Sequence, residues 1–422
     1  MSSLLSYVWL SLKRGLGNYL RAEVLRRMGS PEAVYAADST MLAQSCPSLR
    51  RQHIELLCDK STDEAEQVIT QCAREDIRIL PVSDAAYPDR LRQIEDPPVV
   101  LYIRGRWPDF DTMPGIAVVG TRQATSYGVQ VAGTIGAELA KAGFVTVSGM
   151  ALGNDAAAHR GALRAGGLTV AVLAGGPDVC YPPQNRALMG DILLSGAVIS
   201  EYPPGTEPDG LNYKSRNRII SGLCVATVIV EAGSARSGAL ITARHALDQS
   251  RDVYAVPGAM GAPQSRECNA LIERCEAALL NDPRALVREY ASLLPGGAAA
   301  FHAYTRPPVA RTAPKQRTAS QRRTPAKPAP VPETAAPAPE KPAFTMPEGL
   351  DENEQKIVRL VGEGMHSLEE LVECCGLPAP RLMCMAPRYS DAPVQSQPVS
   401  GTMLLSSAAP VNQICEYPHF RP

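Results

Sequence analysis

The spacing of hydrophobic and polar positions changes along the chain. From residue 1 to about 75, apolar residues recur at helical intervals, as in Tyr19-Leu20-Arg21-Ala22-Glu23-Val24-Leu25-Arg26, with turn signals at Gly15, Gly17, Gly29 and Pro31. After a connector near 76–114, short β-branched runs alternate with helical stretches. The runs fall at 116–119, 145–147, 169–173, 197–199, 226–230 and 253–256; the helical stretches include 129–142, 155–165 and 237–249. Each run is nearly continuous in apolar residues, as strands covered on both faces are. Alternating β and α units predict an α/β fold over 76–294: an extended Rossmann-like, doubly wound and mostly parallel sheet behind an N-terminal helical domain.

Periodicity then fades. Residues 295–346 read as a linker, and its 306–342 portion is rich in Pro and Ala, with eight Lys or Arg against two Glu. Such a segment buries too little apolar surface to offset its ordering entropy, so an extended, disordered tether is expected. Its charge either attracts nucleic acid weakly or simply solubilises. Over 347–386, helices are expected at 351–361 and 367–375, the second capped by Ser367 with Glu370 at capping-box spacing. The turn Gly376-Leu377-Pro378 follows, which resembles the opening of a winged helix. Pro380 and Pro387 bracket the place of a third helix, and the tail 387–422 lacks the alternation of a wing, so the module reads as incomplete.

Composition narrows the function classes. The 422 residues suggest two or three domains, and 45% hydrophobic content supports a sizeable core. Lys and Arg number 42 against 43 Asp and Glu, which excludes binding by bulk charge but not a local basic groove. Aromatic residues are 5%, too few for an interface of many stacking rings. The start, with a short apolar patch but no basic region before it and no small-residue cleavage site after it, predicts no secretory signal, and no apolar run is long enough to span a bilayer. Eleven scattered cysteines without a C-x-x-C pair fit reduced thiols. Adjacent Cys374 and Cys375 would point to different helix faces, a poor start for zinc. A cytoplasmic protein without metal or cofactor is expected.

The unusual residues gather where strands should end, the ligand-binding edge of a doubly wound sheet. Gly120-Thr121-Arg122 follows the first run and leads through Thr125 into a helix, a candidate phosphate cradle of backbone amides and a guanidinium. It is not G-x-G-x-x-G, and no Walker A lysine motif occurs. Ser148-Gly149 opens a small-residue loop running to Asp155 and, one turn later, His159. That pair reads either as acid–base groups or as a helix cap with a structural hydrogen bond. Gly175-Gly176-Pro177-Asp178 leads to Tyr181-Pro182 and Asn185, a rigid turn at a pocket rim. Tyr213, Lys214, Arg216, Asn217 and Arg218 form the most charged stretch, suited to a sugar-phosphate backbone or to a salt-bridged face. Ser237 places a hydroxyl at a helix start, and Glu231 is expected to orient arginines. The Gly15-Leu16-Gly17 turn matches a helix-hairpin-helix, whose amides contact DNA phosphate, as well as an ordinary helix–helix turn.

At these positions the chain resembles the DNA-processing protein A (Smf) family. The resemblance rests on VVGTRQATSYG, SGMALGNDAAAH, GGPDVCYPPQN, SEYPPG, SRNRIISGL, VIVEAGSARSGALITARHA, VYAVPG and NALIERCEA, in family order over about 80–290. It implies an extended Rossmann-like domain that binds single-stranded DNA in natural transformation, forms a homodimer and helps load RecA. The implied DNA contacts are Gly120, Thr121 and Arg122, with Arg216, Asn217 and Arg218; Ser148, Gly149, Asp155 and Ser237 match family motifs, and Lys214 adds charge. Three positions depart from the family pattern: Asn154 stands for an apolar residue, Tyr213-Lys214 for Phe-Pro, and Glu267-Cys268 for a small Gly-containing turn. Apolar helices such as 237–247 look able to exceed what the sheet covers, a motive for dimerisation. The alternative is a nucleotide-processing enzyme similar to nucleoside-monophosphate phosphoribohydrolases, using Glu231, Asp155 or His159; Gly175-Gly176-Pro177-Asp178 breaks the motif those enzymes use. A transcriptional regulator acting through the C-terminal helices would need the missing wing.

Overall fold

The first 75 residues fold as α1 (Ser3–Ser11), α2 (Asn18–Met28), α3 (Pro31–Ala36), α4 (Ser39–Ser45), α5 (Arg51–Cys58) and α6 (Asp63–Arg74), in a computed structural model that describes residues 2–297. Local chemistry sets their starts. Ser30 caps α3 by accepting from the Ala33 N–H, with Pro31 in the first turn, and Asp38 caps α4 by accepting from the Met41 N–H at 2.8 Å. Their apolar faces close around Trp9, Leu10, Val24, Leu42 and Leu57, together with Val100 and Tyr102 of the strand that follows. That shared core joins the helices to one edge of the sheet.

The stretch expected to be a connector builds that edge. β1 (Arg78–Pro81) and β2 (Val100–Gly105) flank the short α7 (Asp89–Arg92) and pair antiparallel with each other. The remaining strands are β3 (Gly115–Val119), β4 (Val145–Ser148), β5 (Thr169–Val172), β6 (Ala197–Ser200), β7 (Cys224–Ile229), β8 (Asp252–Ala255) and the two-residue β9 (Ala278–Leu279). Their order is β1-β2-β6-β5-β4-β3-β7-β8-β9, antiparallel at β1–β2–β6 and parallel elsewhere. The sheet is therefore mostly parallel, as the apolar runs predict.

Successive side chains of a strand point to opposite faces, so a strand apolar throughout needs helices on both. Ala117 and Val119 join a cluster with Ile219, Ile220, Leu240, Ala243 and Leu271, contributed by α11 (Gly210–Gly222), α12 (Gly238–Asp248) and α13 (Arg266–Glu273). Ile116 and Val118 join the opposite cluster, covered by α8 (Ser126–Ala142), α9 (Asn154–Arg164) and α14 (Pro283–Tyr290). The same layer continues through α10 (Arg186–Ser195) over Ala171 and Val198. The chain turns one way from β3 to β4 and later returns to β7 on its other side, so the β3–β7 boundary is the switch point where loops part.

α8 and α9 touch backbone to backbone. A Cβ on Gly161 would collide with the Gly133 carbonyl oxygen, and one on Gly136 with that of Ala158. This contact seats the two helices closely side by side, and both begin at the candidate site. Residues from 298 onward, including most of the expected linker, the 347–386 module and the 387–422 tail, lie outside the described residues. Among the described residues no helix is long and apolar enough to cross a membrane, and no cluster of three or more His, Cys, Asp or Glu could hold a metal ion.

Candidate nucleic-acid interface

The loop after β3 is held from below. The Thr121 N–H donates to the Glu231 carbonyl at 2.9 Å, the Asn154 N–H donates to the Thr121 carbonyl at 3.3 Å, and the Gly120 N–H donates to Asp155 Oδ1 at 3.3 Å. The amides of Gly120 and Thr121 are thus spent inside the protein. Gly120 is needed for another reason: a Cβ there would collide with the Asn154 side chain. Thr125 caps α8, its hydroxyl accepting from the Gly128 N–H at 3.1 Å and donating to Glu231 Oε1 at 2.5 Å. Glu231 also accepts from the Thr125 N–H and from Asn154 Nδ2. It orders the loop rather than orienting arginines.

From this pinned turn Arg122 reaches into solvent. Its Cζ lies 4.9 Å from the ring centroid of Tyr213 on α11, a cation–π contact. The Tyr213 ring stands 6.2 Å from that of Tyr181, inclined at 58°, and Tyr181 is 48% exposed. Arg216 approaches the same Tyr213 ring to 5.8 Å from within the protein. Two guanidinium groups and two rings thus converge at the carboxyl ends of β3 and β5.

Arg216 is a buried member of this group. Its Nη1 donates to the Gly149 carbonyl at 2.9 Å and to the Val172 carbonyl, and its Nε donates to Asn217 Oδ1 at 3.2 Å. Asn217 Nδ2 in turn donates to the Gly238 carbonyl at the start of α12, at 3.1 Å. Burial lowers the pKa of the Arg216 guanidinium, and the facing Asp155 charge opposes that. Gly149 makes room for it, since a Cβ there would sit 2.6 Å from the guanidinium. The next residue, Met150, takes a left-handed φ of 55° and is locked by Asn185 Nδ2, which donates to its carbonyl at 2.8 Å.

Arg216 and Arg218 do not act as a fork. Two residues apart on a helix, they point to different sides. Arg218 is 2% exposed, donates to both Glu201 oxygens at 2.7 and 3.0 Å, and reaches Asp96 Oδ2 at 2.9 Å. Burial works against its charge, but Glu201 and Asp96 outweigh that and raise its pKa. Asn18 of α2 donates to Ser215 Oγ at 2.6 Å and to Glu201, so this cluster clamps the N-terminal helices, the 76–114 segment, β6 and α11 together. The Arg218 expected to face DNA is a clamp.

The other expected site residues divide in the same way. Ser148 is fully buried and donates to the Val118 carbonyl at 2.6 Å. Asp155 does not cap α9, whose N-cap is Gly153; it accepts from the Gly120 and Gly149 amides and so ties two loops together. Burial raises its pKa, opposed by Arg216 and those amides. Lys214 is exposed on α11, and Ser237 is half-buried at the head of α12, where its N–H donates to the Ser234 carbonyl at 2.8 Å. Sequence reasoning missed the ring pair and the exposed Arg236 in the loop after β7. The Tyr181 motif is visible in the sequence, but its meeting with Tyr213 is made by the sheet. The α12 motive for dimerisation weakens, because Leu240, Ala243 and Ala246 are covered by the sheet layer and Leu247 is left 43% exposed.

His159 does not pair with Asp155. Its Nδ1 lies 2.6 Å from Thr169 Oγ1, and burial, with Arg216 and Arg160 nearby, pushes the imidazole down to about 3. An unfolded histidine titrates near ~6.5, so between these values the native state binds fewer protons. The stability gained by keeping His159 neutral is complete above about pH 6.5 and is lost as pH falls toward about 3. Denaturant titrations at pH 7 and pH 4.5 should therefore show the wild type losing about 2 kcal/mol more than His159→Gln. Asp155 acts in the opposite sense but is present in both proteins. Equal losses would contradict this account.

A sequence model for DNA recombination-mediator protein A matches residues 78–291. Protein Smf of Synechocystis is 40% identical over 223 residues, 52% of this chain and 56% of that protein. The chain spans roughly half to two thirds of the length of the curated relatives it matches. The structure of DNA processing protein A from Streptococcus pneumoniae has a TM-score of 0.59 at 32% identity, covering 68% of this chain and 99% of that one. A structure describing a single-stranded DNA binding mode of DNA processing protein A from Helicobacter pylori has a TM-score of 0.45 at 28% identity, covering 50% of this chain and 95% of that one. With half of its length matched by that model, over the segment that builds both the sheet and the ring platform, the chain belongs to the DNA recombination-mediator protein A family.

Proposed function

We propose that the chain is a single-stranded DNA-binding recombination mediator of natural transformation. It protects incoming DNA and loads RecA onto it, as a cytoplasmic homodimer that performs no chemistry itself. The observation that carries this reading is the Arg122–Tyr213–Tyr181 platform at the open end of the sheet. A single strand offers unstacked base faces and a flexible backbone; a duplex hides the faces. Arg122 and Lys214 supply exposed charge for phosphate, on a turn shaped by Gly120 and Thr121. Arg216, buried beneath the ring, adds fixed positive potential, while Ser148, Gly149, Asp155, Asn217, Arg218 and Ser237 hold the loops in place. The enzyme alternative gains nothing from the geometry: Asp155, His159 and Glu231 are buried and engaged in structural bonds.

The test is a titration of oligo-dT and of a duplex of equal length, with salt raised, against wild type and Arg122→Ala. Wild type should favour the single strand. Arg122→Ala should bind it roughly tenfold more weakly, with a salt slope shallower by about one phosphate contact. Unchanged affinity and slope would count against the reading, and release of free base from a nucleoside monophosphate would favour the enzyme.

A further inference from the structure

Tyr213 is poorly placed to receive a base. It is half-buried on α11, and both Arg122 and Arg216 lie against its ring. The open ring of the pair is Tyr181, 48% exposed at the crest of the loop after β5. That loop is held on both flanks. The Gly176 N–H donates to the Thr206 carbonyl at 2.8 Å, Asp178 accepts from the Gly205 N–H at 2.9 and 3.0 Å, and Asn185 Nδ2 donates to the Met150 and Ala151 carbonyls at 2.8 and 3.3 Å. A large ring raised into water on a fixed loop gives up apolar burial without gaining conformational freedom. It also stands ready to stack with little further entropy cost.

We infer that Tyr181 is a base-stacking residue: one nucleobase lies on its exposed face while the neighbouring phosphate meets Arg122. This rests on the single-stranded DNA reading above and adds to it a contact with the base instead of the backbone. Stacking on a ring face is indifferent to base identity, because every base has a π-face. Arg122 and Tyr213 then form the inner wall, where the cation holds the first ring upright and the second ring stays free for the ligand. The phenol hydroxyl has no part in the contact.

Binding of oligo-dT and of an abasic strand of equal length is measured for wild type, Tyr181→Phe and Tyr181→Ala. The expected result is about a tenfold loss for Tyr181→Ala on oligo-dT, the size of one stacked base. Tyr181→Phe should keep wild-type affinity, and the abasic strand should bind wild type and Tyr181→Ala alike. Because the ring is exposed, melting temperatures should stay within a degree or so of each other. Equal loss on both strands, or equal loss in Tyr181→Phe, would overturn the stacking role and leave the binding site itself standing. If wild type bound neither strand, the reading beneath it would fail as well.

Discussion

Replacing Arg218 by alanine should cost the fold about 3 kcal/mol or more, measured by denaturant unfolding. The side chain is 2% exposed and holds Glu201, itself only 8% exposed, through two parallel hydrogen bonds. Without it the Glu201 carboxylate stays buried with the Asn18 amide as a direct partner, and the Asp96 loop loses its anchor. Stranding a charge costs more than never having had the pair. Arg218→Met with Glu201→Gln should therefore recover much of the loss, since the buried carboxylate is removed along with its guanidinium partner. Arg218→Lys should fall in between, because an ammonium cannot reproduce the planar fork. A loss below about 1 kcal/mol for Arg218→Ala would mean that the cluster does not clamp the fold. Folded Arg218→Lys should keep the wild-type salt slope for DNA, unlike a residue that meets phosphate.

The second large effect is expected at a glycine. Gly161 lies inside α9, where alanine would ordinarily favour the helix by up to about 1 kcal/mol. Here its Cβ would meet the Gly133 backbone of α8, which cannot swing aside as a side chain can. Gly161→Ala should lose about 2 kcal/mol net, as overpacked cores do. Gly190, in α10, has open space within 4 Å of where a Cβ would stand, so Gly190→Ala should stabilise by about 0.5–1 kcal/mol. Opposite signs for one chemical change in two helices would show that the α8–α9 contact matters, and matching signs would refute it. Because α8 begins just after Arg122 and α9 carries Asn154 and Asp155, Gly161→Ala should also weaken DNA binding.

How much of this was legible in the sequence follows from the range over which each signal acts. The six main strands were visible because burial on both faces leaves continuous apolar runs. β2 was equally apolar but lay among Pro97, Pro98 and turn residues, and antiparallel edge pairing breaks the β–α alternation used to find the others. β9, two residues long, has no period to read. The loops of the site were legible as motifs, but the roles of their members were not. Arginine is normally a surface residue, so nothing local marks Arg218 as buried; its partners Glu201 and Asp96 are distant in sequence. Gly120 and Gly149 signal close approach correctly, yet what approaches is Asn154 and Arg216 rather than an anion. Tyr181 and Tyr213 meet only because β5 and α11 bring their ends together, which overall aromatic content does not reveal.

The exposed Arg122 guanidinium on its ring platform, at the switch point of the sheet, is the proposed contact with single-stranded DNA. Its most direct test is the affinity of wild type and Arg122→Ala for oligo-dT as salt is raised. Wild type should bind tightly, the variant roughly tenfold more weakly, with a shallower slope of log affinity on log salt for the variant. Superimposable curves for the two proteins, both folded to the same melting temperature, would contradict it.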